Sequence, residues 1–150
     1  MTRLRQLLIL TGIIFLLCGT TVIAATDKLP NSNHPLWGEF AKCRFVRDEV
    51  KNLTMIGYTI AVRKLDRKEI TISGFMTPLE PSKETKHFLL NKNNPTCAFC
   101  PPSRTNEVIE VFTSEPVVWH DKLATFSGTL VLINDARVRI FFKLEKAVMR

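Results

Sequence analysis

Hydrophobic positions along the chain follow three different patterns. Leu7 to Ile23 is a nearly continuous apolar run behind Arg3 and Arg5. Between Pro35 and Val50, the positions Leu36, Phe40, Cys43 and Val50 recur at helical spacing. That predicts a short amphipathic helix within 35–50, with Pro35 in the first turn and Asn33 or His34 as its cap. From Met55 the period becomes two. Ile56, Tyr58, Ile60 and Val62 alternate with Gly57, Thr59 and Ala61, and Ile70, Ile72 and Met76 alternate with polar partners. The charged stretch Lys64 to Lys68 reads as the turn of a hairpin between those two strands. Further strands are predicted at 87–90, 108–112 and 124–133, then, past an Asn134-Asp135 turn, along Val138, Ile140, Phe142 and Leu144. The pattern predicts a mainly β domain: a small antiparallel OB-like barrel of five to six strands with one short N-terminal helix. Closure removes exposed sheet edges. An open β-sandwich is the second choice.

The first apolar run has the layout of a secretory signal peptide. It falls short of a bilayer span and is diluted by Thr11, Gly12, Gly19, Thr20 and Thr21. Small residues place cleavage near Ala24 or Ala25. The division expected is therefore 1–25 signal peptide, 26–33 flexible leader and 34–150 a single domain, periplasmic or secreted. The alternative is a domain anchored in the membrane by an uncleaved signal, which is the one membrane association expected. Leu17 stands where a lipobox needs a small residue, so Cys18 is assigned to the discarded peptide.

Loss of Arg3 and Arg5 lowers the formal charge from +7 to +5. Outside the cytoplasm, dispersed basic residues of this kind rarely mean nucleic acid, so no nucleic-acid partner is expected; they fit an anionic envelope surface, an acidic partner or plain solubility. No phosphate-binding glycine loop, nucleophile elbow or carboxylate pair is present, so no catalytic set is assigned. Trp37 and Trp119 read as core or barrel-cap residues.

The candidate chemistry lies in Cys97-Ala98-Phe99-Cys100-Pro101-Pro102. In an oxidising compartment the pair can bridge as Cys97–Cys100, or either can pair with Cys43 and staple the helix to the barrel. Reduced, the pair forms half of a zinc site, with His87 and His120 as the better additional ligands and His34 as a further donor. Thiol–disulfide exchange is the third option. Pro101 and Pro102 oppose a helix starting inside the motif, which removes the usual source of a depressed thiol pKa.

Gly74-Phe75-Met76-Thr77-Pro78-Leu79-Glu80, then His87-Phe88-Leu89-Leu90, then the cysteine–proline run resembles an uncharacterised family of small exported bacterial proteins. Their shared core reads GFM-x-PLE … FLL … C … PP on an OB-like barrel. The resemblance covers about residues 68–113 and implies a periplasmic single β domain. Relatives encoded beside envelope ABC-transporter components expressed under zinc limitation imply metal handling and an envelope or transporter partner. The family brings no catalytic residue. The chain is thus expected to be an exported binding module acting through a rim of residues 77–104, with zinc as the possible ligand. The alternatives are a thiol–disulfide exchange protein using Cys97 and Cys100, or a structural subunit of an envelope complex.

Overall fold

The computed structural model describes residues 30–50, 53–135 and 137–150. The expected signal peptide, and residues 26–29 of the leader, lie outside them.

Helix α1 spans Pro35–Ala41, with Pro35 in its first turn and the His34 Nδ1 accepting from the Leu36 N–H at 3.4 Å. Its apolar face is Trp37 and Phe40, both buried. Strands β1 (Arg44–Asp48) and β2 (Leu53–Gly57) then form an antiparallel hairpin of their own. A single helical turn, α2 (Ile60–Arg63), leads to β3 (Glu69–Pro78) and β4 (Glu84–Asn91). A 3-10 turn at Thr105–Glu107 precedes β5 (Val108–Val118), and β6 (Leu123–Leu132) and β7 (Phe142–Met149) complete the chain.

The last five strands close a barrel in the order β3-β4-β5-β7-β6, with β6 pairing back onto β3. Neighbours are antiparallel except β5 and β7, which run parallel. This is the strand order of an OB barrel, as the alternating pattern predicted. Large side chains fill the interior: Phe88, Phe126, Phe142, Leu90, Leu130 and Leu144 are fully buried. Each contributes about 1.5–3 kcal/mol relative to exposure. Phe40 of α1 stacks on Phe142 at 4.3 Å, so the helix closes the core rather than lying beside it. Gly74 and Gly128 lie where strands press together. A Cβ on Gly74 would stand 2.7 Å from the Asn91 carbonyl oxygen, and one on Gly128 would stand 2.8 Å from that of Glu145.

Several sequence expectations are corrected. Tyr58 to Val62 does not continue a strand, and β2 pairs with β1 instead of forming a hairpin with β3. Local chemistry overrides the alternation. The Thr59 Oγ1 accepts from the Val62 N–H at 3.2 Å and caps α2, leaving Ile60 74% exposed. The predicted helix stops at Ala41, and β1 was not anticipated because its residues are largely exposed and show no alternation. The final strand starts at Phe142 rather than near Val138. Residues 30–33, expected as part of a flexible leader, are held: Asn31 bridges to Asn93, and the buried Ser32 donates to the Ser73 carbonyl at 2.6 Å. The Trp37 Nε1–H donates to the same carbonyl at 2.8 Å. Pairing between β3 and β4 ends at Phe75–Asn91, so Ser32 and Trp37 supply the partners that β4 does not give Ser73.

Candidate functional site: the disulfide loop

The β4–β5 connection is tied at its base. The Lys92 N–H donates to the Glu107 carbonyl at 3.1 Å, and their side chains form an ion pair at 2.5 Å. The other Glu107 oxygen accepts from the Arg104 N–H at 3.1 Å. Burial pushes the Glu107 carboxyl up, but the Lys92 hydrogen bond, the Arg104 N–H and the nearby cationic charge outweigh it and leave it below its usual range. Beside it, the buried Asn106 amide donates to the carbonyls of Phe40 and Cys43, each at 3.3 Å, which fixes the loop's exit against the end of α1.

Between these anchors, Cys97 and Cys100 are joined by a disulfide with Cα atoms 5.3 Å apart. The bridge closes a turn whose Cys100 N–H donates to the Cys97 carbonyl at 3.1 Å. The loop is also fastened from outside. The Asn94 N–H donates to the Pro30 carbonyl, the Ser103 hydroxyl accepts from the Asn93 N–H, and the Asn93 side chain donates to the Pro101 carbonyl. The two cysteines are half-buried, whereas Phe99, inside the bridged turn, is 86% exposed. A cleft of about 280 Å³ lies against the bridge, with Asn91, Asn93, Asn94 and Ser103 among its lining residues.

The remaining predicted site residues lie apart from one another. Cys43, just past the end of α1, is a free thiol buried in the core, so neither proposed bridge to Cys97 or Cys100 forms, and burial raises its pKa. It serves as a small core side chain. His87 is engaged on the barrel's side: its Nε2 lies 2.9 Å from the Glu110 carboxylate, and its ring stacks on Phe112 at 4.2 Å. His120, in the β5–β6 connection, has a buried Nδ1 without a partner among the described residues and lines a separate cleft with Ala147, Val148 and Met149. His34 caps α1. Among the described residues, no three His, Cys, Asp or Glu side chains stand together as a metal-holding group, so Cys97 and Cys100 gain neither histidine as a third ligand.

The single 77–104 rim is also corrected. The 79–83 turn and the cysteine loop leave opposite ends of β4. Leu79, in the first of these, is 47% exposed. Trp37 is core as expected, while Trp119 is partly exposed and donates to the Met76 carbonyl at 3.3 Å. The Lys92–Glu107 clasp and Asn106 were missed, because nothing in the spacing of residues 92, 106 and 107 separates them from ordinary loop polars.

Comparison with known proteins bears on the family. No curated protein matches the chain. A solved structure, the crystal structure of a DUF3299 family protein from Pseudomonas aeruginosa PAO1, is 23% identical with a TM-score of 0.47, covering 63% of this chain and 67% of that one. The family described as "Protein of unknown function (DUF3299)" matches residues 33–137, which include the GFM-x-PLE, FLL and cysteine–proline segments, and the chain belongs to that family.

Proposed function

We propose that this protein is an exported binding module of the cell envelope, without catalytic machinery of its own, whose contact element is the bridged loop 93–104. One observation carries the reading: a disulfide-closed turn, tied at its base by Lys92–Glu107, presents Phe99 to solvent. An aromatic side chain held out by a stiff loop pays little ordering entropy on binding, which is the character of an interface anchor. The test uses residues 26–150 with a photo-crosslinking residue at the exposed Ala98 position, displayed to the bacterial envelope. A discrete crosslinked envelope protein is expected, and Phe99→Ala should remove it. A crosslink indifferent to Phe99, or none at all, overturns the reading.

The cleft against the half-buried bridge supports a second reading, thiol–disulfide exchange. Its check is the equilibrium with glutathione. A bridge that opens at physiological glutathione ratios favours exchange, and one that resists favours a structural staple.

A further inference from the structure

The β6–β7 loop, residues 133–141, is held shut at its base. The Ile133 N–H donates to the Phe141 carbonyl at 2.9 Å, and the Tyr58 hydroxyl sits 2.6 Å and 2.7 Å from the carbonyls of Ile133 and Phe141. Two clefts flank the loop, and Val138 and Arg139 line both. One, of about 410 Å³, has Phe45, Leu53 and Phe141 as its apolar part, with Thr54, Thr105 and Arg137 beside them. The other, of about 350 Å³, has Ile133 and Ile140, with Lys143 and Glu110.

The residues lining the clefts are net positive: Arg137, Arg139 and Lys143 against Glu110, whose carboxylate already contacts His87, with Asp135 beside them as a second acid. Asp135 holds Arg137 through Nε at 3.0 Å and Nη2 at 2.8 Å. Among the described residues, the Arg139 side chain has no hydrogen bond or ion pair, and it is exposed. An unpaired guanidinium lining two clefts, each with both apolar and polar walls, matches a ligand with an anionic head and an apolar body. The paired N–H donors suit a phosphate or carboxylate, and the clefts are of ligand size.

We propose that the paired clefts on either side of Val138–Arg139 bind an anionic amphiphile, a phosphate or carboxylate head on a hydrocarbon body. This site is independent of the cysteine loop's role. The test follows backbone amide NMR shifts of the mature chain against four soluble probes: dihexanoyl-phosphatidylglycerol below its micelle concentration, decanoate, dihexanoyl-phosphatidylcholine and inorganic phosphate. Saturable shifts around residues 45–55 and 133–141 are expected with the phospholipid anion, the fatty acid or both, and the tighter of the two identifies the source. Arg139→Gln should weaken that binding about tenfold or more, the loss of one charge-assisted contact. Val138→Asp, which sets a carboxylate between the clefts, should do the same. Equal binding of phosphatidylcholine, saturation by inorganic phosphate at the same concentration, indifference to Arg139→Gln, or no shift with any probe overturns the proposal.

Discussion

Substituting Glu107→Gln keeps the shape of the loop clasp and removes its charge. The carboxylate side chain is 9% exposed and its Lys92 partner 30%, so the pair is neither deeply buried nor freely solvated. A hydrogen bond to a charged group contributes about 1.5–3 kcal/mol. Lys92 can still reach water once its partner is neutral, which places the loss near the lower end, about 1.5 kcal/mol, or about 5 °C in Tm for a domain of this size. The pH dependence follows from the depressed Glu107 pKa. The clasp's contribution is fully present above the carboxyl's unfolded value, about 4.3, and fades as pH falls through the lower folded value. Urea melts of both proteins from neutral pH downward should show a constant gap that closes below about pH 4. Two results refute the reasoning: a glutamine variant as stable as the parent at neutral pH, or a gap that persists unchanged into acid.

Other outcomes are checked in the same melts. Asn106→Ala removes the donor to the Phe40 and Cys43 carbonyls and should cost about 1–3 kcal/mol, with faster amide exchange in the last turn of α1. Gly128→Ala drives a methyl onto the Glu145 carbonyl oxygen and should destabilise by about 1–3 kcal/mol, whereas Gly38→Ala, with open space around its Cβ, should not. Cys97→Ser with Cys100→Ser should leave the barrel folded and lose about 2 kcal/mol, because the bridged segment is short. Tyr58 is the chain's one tyrosine, and burial foremost raises its pKa. Its phenolate band should therefore be absent at pH values just above 10, where an exposed tyrosine ionises, and the domain should lose stability as pH rises past that value.

Alternation was a reliable guide wherever one face of a strand meets the core. Ile70 and Ile72, Phe88 and Leu90, and Phe126 and Leu130 are buried, and they lie on strands within or overlapping the predicted ones. It misled where a local hydrogen bond or a distant partner decides the backbone. The Thr59 cap turns 60–63 into a helical turn, and the Tyr58 hydroxyl is claimed by carbonyls 75 and 83 positions away. On β7 the buried positions Leu144 and Ala147 are three apart. Lys146 takes a φ of 50°, and the pairing slips by a residue against both neighbours. That bulge is invisible to a strict period of two. For the site, the sequence marked the sulfur pair and its loop. It could not tell that Cys43 would be buried in the core, nor that Val138 and Arg139 would line two clefts, because both outcomes depend on where chain segments far apart are brought together.

Strand β7 is inserted between β5 and β6, and it is the last described strand to leave the ribosome. Until it emerges, two neighbours that never touch each other directly both present bare edges, so the cylinder cannot be sealed piecemeal during synthesis. A chain cut before Phe142 would therefore leave the facing edges of β5 and β6 unpaired, and the barrel open along one side.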